Sequence, residues 1–435
     1  MSKTKKIVIL GAGLSGLATA YFLKKKGVDA YVFEKEDTPG GLCRSYKKNG
    51  FIFDFSGHLL HFKHRRIFSI VKGLLGDNLV QHRRNSWVYS FRRLIPYPFQ
   101  VHFTHLPEDI SKACFKDFVE AQNNGKSKNF KNFLEWSYCK FGSSITRYFM
   151  IPYNEKFWKI SLKDLSHSWT ERFIFIPTLK HISQGHLQNN NQDVGYNIYF
   201  WYPKKGGIFS LVKALHSYLS NVYTDCAVES ISLNRNTIKL KDGRSIRFDR
   251  VISTIPLPEL GEIIIDLPDN IKKYFKKLKW VSIYNLNLGV EGLVGSKRHW
   301  IYFPSKDTVF FRVGFYHNFS PSSVTKGCSS LYAEVSFRNL TQNIKDKEKL
   351  SSLIKQDLKR VGILPVNAKV LLEDLVEIKY AYPIYDVNYR RTRDKIINFF
   401  RRHNIICCGR FGGWQYLSME DVIREAEDVS GYISA

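Results

Sequence analysis

The sequence predicts an α/β fold in which a dinucleotide-binding unit is interrupted by a mainly helical insertion and completed around an antiparallel sheet. Three observations carry this prediction. Between Lys6 and Glu34 a short apolar strand, a glycine turn, a helix, a second strand and an acid follow one another. Residues 63 to 204 are rich in Phe, Tyr, Trp, His and Lys and carry helical periodicity. From Val281 to about Val376 the pattern changes to period two, the mark of strands.

Ile7-Val8-Ile9-Leu10 reads as a strand buried on both faces. It runs into Gly11-Ala12-Gly13-Leu14-Ser15-Gly16, after which Leu17, Ala20, Tyr21 and Leu23 share a helical face. Gly11 makes the tight turn, Gly13 lets main chain approach a pyrophosphate, and Gly16 lets helix and strand pack closely. The helix N-terminus, opening at Leu14 and Ser15, offers unpaired N–H groups to the anion. Gly27 ends the helix and Ala30-Tyr31-Val32-Phe33 forms the second strand. Glu34 then stands where a carboxylate accepts both hydroxyls of an adenosine ribose, with Lys35 beside it, and its charge disfavours the 2′-phosphate of NADP.

A second glycine turn follows in Thr38-Pro39-Gly40-Gly41-Leu42-Cys43-Arg44-Ser45, and then an alternating strand, Gly50 to Phe55, ending in the loop Ser56-Gly57-His58. This order resembles the flavin-binding superfamily of amine oxidases, protoporphyrinogen oxidases, carotenoid desaturases and UDP-galactopyranose mutases. The resemblance implies bound FAD, with Gly40, Gly41 and Leu42 along its pyrophosphate and ribityl chain and the Gly57–His58 loop near the isoalloxazine. Arg44 either pairs a charge there or is an ordinary surface arginine.

Later segments extend the pattern. Helices are expected over 108–122, 129–141 and 143–150, with loops at Asn123 to Ser127 and Asn189 to Asp193. After Gly206-Gly207, a helix carries Leu211, Val212, Leu215 and Leu219 on one face. A strand over 227–231, a hairpin over 238–248 turning at Asp242-Gly243, and the strand Arg250 to Ile255 follow. The superfamily pattern places Val228 over the adenine. The period-two region suggests a sheet with one polar face, a wall for substrate, interrupted by a helix around 345–360. Ile405 to Gly412 and 419–433 read as strand, glycine turn and closing helix. The expected domains are thus an FAD-binding part over 1–62, a mainly helical insertion over 63–204, a second FAD-binding part over 205–275, an antiparallel-sheet substrate domain over 276–384 and a third FAD-binding part over 385–435.

Composition narrows the class. The chain has 435 residues, long enough for more than one core, and its apolar residues make up 44%. Its formal charge of +27 favours anionic partners, but the basic residues are scattered and no nucleic-acid fold signature accompanies them, so no nucleic-acid partner is expected. Seven cysteines without regular spacing or a Cys/His ligand set predict neither a disulfide framework nor a metal. No apolar run reaches the length of a membrane span, and the first strand begins by Ile7, too early to leave room for a signal peptide. A reducing cytoplasm is the expected location. Oligomeric state is not legible.

Substrate-side segments then select among the relatives. Ile95-Pro96-Tyr97-Pro98-Phe99-Gln100, Pro152 to Trp158, Trp169-Thr170-Glu171-Arg172 and Trp300 to Pro304 resemble the UDP-galactopyranose mutase family, as do Phe310-Phe311-Arg312, Tyr380 to Pro383 and Gly409 to Tyr416. The resemblance implies that Arg172 and Arg312 grip the diphosphate of a nucleotide sugar, with Tyr302, Tyr382 and Tyr416 adding hydroxyls and Tyr416 also reaching the cofactor. Tyr97, Phe99 and Gln100, with Asn154 and Trp158, would hold the uracil. Gly57 and His58 would lie beside the flavin N5, and Arg410 would face the FAD. Trp158 and Tyr382 could equally be core aromatics, and His58 a hydrogen-bonded turn residue. The apolar surroundings of Arg172 and Arg312 demand an anionic partner, and none stands nearby in sequence, which strengthens their candidacy. Three departures bear on the sugar rather than the chemistry: Gln415 where many mutases have arginine, Ser56 for a glycine of the Gly-Gly-His loop, and the tail from Ser418 to Asp421.

The implied enzyme is a net non-redox isomerase with the fold class of a Rossmann-like FAD-binding domain, a helical insertion and an antiparallel-sheet substrate domain. It would interconvert UDP-galactopyranose and UDP-galactofuranose for cell-surface polysaccharide through an adduct of the sugar with N5 of reduced flavin, NADH or NADPH being candidate reductants. The alternative is an FAD-dependent oxidoreductase of the amine oxidase or protoporphyrinogen oxidase type.

Overall fold

Ile7–Leu10 is the centre of a five-stranded parallel sheet in the computed structural model, which describes residues 5–124, 129–187, 194–195, 197–295, 297–338 and 346–435. Ala30–Phe33 flanks it on one side and Arg250–Ser253 on the other, Ile7 pairing with Ala30 and Arg250 in the two registers. Val222–Tyr223 and Ile405–Cys407 form the edges. None of the four central residues is more than 2% exposed, because one face (Ile7, Ile9) meets the helices Leu14–Lys25 and Met419–Ser434 and the other (Val8, Leu10) meets a second core. A strand covered on both faces has no reason to alternate, hence its unbroken apolar run. A three-stranded sheet, Val228–Ser232, Thr237–Leu240 and Ser245–Arg247, stands beside it.

The second sheet has seven strands in the order Val370–Pro383, Trp280–Glu291, Cys328–Arg338, Arg312–Phe315, Trp300–Tyr302, Ser86–Ser90 and Arg93–Pro96. Its pairings are antiparallel except Trp300–Tyr302 with Ser86–Ser90. Ser86–Pro96 is thus a hairpin inside the stretch expected to be mainly helical. The signal is weak because the inward alternation is Ser86, Val88, Ser90, with the large Trp87 and Tyr89 only half-buried. The expected polar face exists but does not meet solvent. Ser282, Asn285, Asn287 and Glu334 are wholly buried, and Asn287 Nδ2 donates to the Tyr46 hydroxyl at 2.8 Å.

Helices run from Glu108 to Asn124 and from Phe133 to Ile145, then through a π-helical stretch, Thr146–Met150, into Ile151–Trp158. Gly142 breaks the helical path at φ 75°, where a Cβ would stand 2.3 Å from the Asp117 carbonyl oxygen. The helix Tyr389–Arg402 was not anticipated. It is densely basic, and only Thr392, Ile396 and Phe400 mark its buried side. Helix Lys347–Arg360 matches the interruption expected around 345–360. Gly125 to Ser127 and the Asn189 to Asp193 loop lie outside the described residues.

Candidate functional site

The two glycine turns meet. Gly40 N donates to the Ala12 carbonyl at 2.8 Å, Gly13 and Gly40 form a parallel bridge, and a Cβ on Gly41 would lie 3.4 Å from the Gly13 Cα. Gly11 turns at φ 92°, and a Cβ on Gly16 would sit 1.9 Å from the Gly11 carbonyl oxygen, so this packing admits no side chain. Helix Leu14–Lys25 opens with no side-chain cap and no acid in its first turn, leaving its N–H groups and positive dipole end to an anion. Leu14 and Ser15 are buried beneath it, with Ser15 Oγ 3.6 Å from Cys408 Sγ. Glu34 is buried at the end of its strand and accepts from Ala12 N at 2.7 Å and Glu36 N at 3.1 Å, which fixes the carboxylate against the turn.

The remaining cofactor candidates vary. Arg44 Nε donates to the Gly41 carbonyl at 3.0 Å and its guanidinium lies 5.1 Å over the Phe55 ring, so it braces the second turn. Lys35 points away, 3.4 Å from Glu259. Leu42 packs at the margin of the core that surrounds the cavity described below. Val228 is half-buried at the head of its strand. Arg410 donates to the carbonyls of Leu417 at 3.1 Å and Ala381 at 2.8 Å and lies over Tyr382 and Tyr416. Its Nε is buried without a hydrogen-bond partner among the described residues, as expected of a group that meets a bound molecule. The double glycine cradle, the uncapped helix, the buried Glu34 and this orphaned Nε together fit a dinucleotide such as FAD.

Ser56, Gly57 and His58 follow the strand Phe51–Asp54. Ser56 takes φ 73°, and a Cβ on Gly57 would stand 2.2 Å from the Tyr332 hydroxyl, so only glycine fits there. His58 Nδ1 lies 3.4 Å from the Ser56 carbonyl. Burial, then the positive charge of Arg410 and of Arg312, pushes His58 down to about 4, so the ring is neutral near pH 7.

Beside these elements lies a cavity of about 140 Å³ that opens to solvent. Tyr97, Gln100, Asn154, Trp158, Tyr302, Arg312, Tyr382 and Tyr416 all line it, brought together from segments far apart in the chain. Gln100 Nε2 donates to the Phe175 carbonyl at 2.7 Å and Asn154 Nδ2 to the Met150 carbonyl at 2.8 Å, which fixes both amides. Trp158 lies edge-on to Tyr382 and Tyr416, its indole N–H buried without a partner among the described residues. Burial raises the Tyr302 hydroxyl, against the lowering charge of Arg312, and so keeps it a donor.

Two of the expected contacts are not made. Phe99 is fully buried and stacks on Phe149 at 4.6 Å, so it backs the wall rather than facing the cavity. Arg172 does not line the cavity, although Phe173 and Ile174 do; its guanidinium pairs with Asp421. Asp421 is also the N3 member of the capping box that starts helix Met419–Ser434. Burial would raise that carboxyl, but Arg172 and Ser418 hold it below its ordinary value. Arg312 has a partner too. Its Nη2 donates to Glu334 Oε1 at 2.9 Å and its Nε to Oε2, across directly opposed strand positions. Neither arginine has a carboxylate nearby in sequence, as expected, but both find one from a distant segment, so the case for a ligand anion at each is weakened.

Tyr153 and Phe173 were missed as wall residues. Phe149, Tyr153 and Phe157 stack in series at helical spacing, and that i, i+4 aromatic run was visible in the sequence. Phe173 stacks on Tyr416 at 4.1 Å, a contact with no local signal. Among the described residues no three His, Cys, Asp or Glu side chains gather into a metal site, and no helix is long and apolar enough to cross a membrane.

Comparison with known proteins gives a consistent frame. The family model for flavin-containing amine oxidoreductases matches residues 14–430. A coproporphyrinogen III oxidase of Staphylococcus aureus (strain NCTC 8325 / PS 47) is 31% identical over 99 residues, 22% of this chain and 21% of that protein. A 4,4'-diapophytoene desaturase of Staphylococcus aureus (strain COL) is 24% identical over 307 residues, 62% of this chain and 59% of the desaturase. The chain thus spans well under two thirds of either relative. A crystal structure of reduced UDP-galactopyranose mutase superposes with a TM-score of 0.92 at 26% identity, covering 99% of this chain and 94% of that one.

Proposed function

Because the chain belongs to the flavin-containing amine oxidoreductase family, we propose that it is an FAD-dependent mutase that interconverts the pyranose and furanose forms of a nucleotide-linked hexose, UDP-galactose fitting best. The observation that carries this reading is the cavity itself: Arg312, the hydroxyls of Tyr302, Tyr382 and Tyr416, and the amides of Gln100 and Asn154 converge inside aromatic walls. Aromatic faces and fixed amides suit a uracil, and a guanidinium with phenolic donors suits a diphosphate. The likeness to a UDP-galactopyranose mutase across nearly the whole chain supports the same reading.

FAD held by the Gly11–Gly16 and Gly40–Gly41 turns and Glu34 would, when reduced, supply nucleophilic nitrogen chemistry at the sugar's anomeric carbon. The chain's own residues bind and orient. Arg312 holds the diphosphate as charge builds on it, and the tyrosine hydroxyls donate to the same oxygens. Trp158, Tyr153 and Phe157 exclude water from the sugar's path. Arg172 stands next to the wall residues Phe173 and Ile174 but spends its charge on Asp421, and so supports the wall rather than the phosphate. His58, neutral in its setting, hydrogen-bonds within the Gly57 loop without adding charge next to the flavin.

The second reading, an oxidase acting on an amine or an apolar substrate, draws on the family description. Arg312 and the phenols in the cavity wall oppose it, since an ammonium or apolar substrate offers these hydrogen-bond donors no acceptor. Incubating dithionite-reduced protein with UDP-galactofuranose and separating the sugars by chromatography tests the proposal. Conversion to UDP-galactopyranose is expected, with none by the air-oxidised form. Amine turnover with stoichiometric peroxide and no sugar conversion would favour the oxidase.

A further inference from the structure

Ser56 occupies a backbone conformation that L side chains rarely adopt, φ 73°, in the loop that leads to Gly57 and His58. Glycine would take it without cost, so the retained side chain calls for a reason. Its hydroxyl, buried with the rest of the residue, donates to Glu334 Oε1. That oxygen is the one that also accepts from Arg312 Nη2 at 2.9 Å, while Arg312 Nε donates to Oε2. Glu334 is fully buried in strand Cys328–Arg338, directly opposite Arg312. Two residues earlier on the same face, Tyr332 presses its hydroxyl against Gly57, and the Ser56 carbonyl lies 3.4 Å from His58 Nδ1. A continuous chain of contacts therefore runs from Arg312 through Glu334 and Ser56 to His58.

We propose that Ser56 is a positioning residue that couples the Gly57–His58 loop to the arginine meeting the substrate diphosphate, by fixing the Glu334 carboxylate that orients Arg312. The inference rests on the nucleotide-sugar reading above. A guanidinium held at two points by a buried carboxylate points where that carboxylate directs it. With the Ser56 hydroxyl on one oxygen and the guanidinium on both, the carboxylate is held in one orientation and Arg312 with it. Removing the hydroxyl leaves Glu334 free to turn and to take Arg312 out of line with the diphosphate, so anion affinity falls although no group that touches the ligand has changed. The same removal unpins the loop from the sheet.

The experiment is calorimetric titration with UDP of the FAD-loaded wild type, Ser56→Gly, Ser56→Ala, Arg312→Ala and the Ser56→Gly/Arg312→Ala double variant. Flavin content and melting temperature are recorded for each. Both Ser56 variants should keep FAD and bind UDP about 10-fold more weakly, by similar factors, because both lose one hydrogen bond to a charged group. Their melting temperatures should separate, since glycine relieves the left-handed backbone and alanine does not. A merely structural role would instead make UDP affinity follow melting temperature. In the double variant the Ser56→Gly change should add nothing to the Arg312→Ala loss. Wild-type affinity in Ser56→Gly, alongside lost affinity in Arg312→Ala, would overturn the coupling and leave the nucleotide-sugar reading standing. Weakening confined to Ser56→Ala would also overturn it, by assigning the effect to the backbone. Unchanged affinity in Arg312→Ala would remove the nucleotide-sugar reading, and the coupling with it. Should the alanine variant fail to fold, the glycine variant and the double variant still decide the matter.

Discussion

The cofactor cradle and the cavity grip anions by opposite means. The cradle works through main chain: two glycine turns, an uncapped helix end and one fixed carboxylate, all within the first 41 residues. The cavity works through side chains, with Arg312 on one strand, Tyr302 on another, Tyr382 on a third and Tyr416 near the closing helix. Backbone donors cannot be neutralised by a neighbouring acid, whereas a guanidinium can, and in this molecule Arg312 and Arg172 each have one. The difference teaches where each region is vulnerable. The cradle fails when a Cβ enters it, and the cavity fails when the balance between an arginine and its carboxylate shifts.

Perturbing the two regions separately sharpens that contrast. The largest effect is expected from Gly16→Val, whose side chain has nowhere to go because even a Cβ meets the Gly11 carbonyl at 1.9 Å. Flavin absorbance should be lost from the purified protein, whereas conservative changes to cavity residues should leave it intact. Glu334→Ala comes next. It strands Arg312 in a mostly buried position, and about 3 kcal/mol of stability should disappear in chemical denaturation.

Acid should separate the regions by a different route. Folded His58 holds its proton only below about 4, against an ordinary value near 6.5, so the unfolded chain binds more protons between those values. Stability therefore falls as pH drops through that window, and His58→Gln should flatten the profile by about 2 kcal/mol. His61 and His299 are lowered in the same direction, to about 4 and about 3, so a residual slope persists. The smallest effect belongs to Arg172→Ala. Its guanidinium is partly exposed and shared with a capping carboxylate, so UDP binding should weaken by about 1 kcal/mol, clearly less than for Arg312.

The cradle was legible in the sequence because its parts are neighbours. Strand, turn, helix and acid lie at spacings that chain geometry imposes, and Gly11, Gly16 and Glu34 stand where those spacings put them. The cavity residues were found by likeness to a family, and most of them do converge. What spacing could not reveal was pairing across distance. Glu334 meets Arg312 only because two strands are in register, and Asp421 meets Arg172 only because the closing helix begins beside it. Phe99 looked like a wall residue but stacks behind the wall on Phe149, a matter of which side of a four-residue helix faces in. The hairpin Ser86–Pro96 escaped notice because serines point inward where apolar residues would be expected.

The most direct test of the contrast is the affinity of FAD-loaded protein for UDP, measured before and after Arg312→Ala and Arg312→Lys. If the cavity recognises a nucleotide diphosphate through side-chain charge, alanine should cost about 2–5 kcal/mol of binding and lysine should recover only part of it, with FAD content unchanged in both. Equal UDP affinity in wild type and Arg312→Ala would contradict the account, for then the charge placed in this cavity would have no anion to hold.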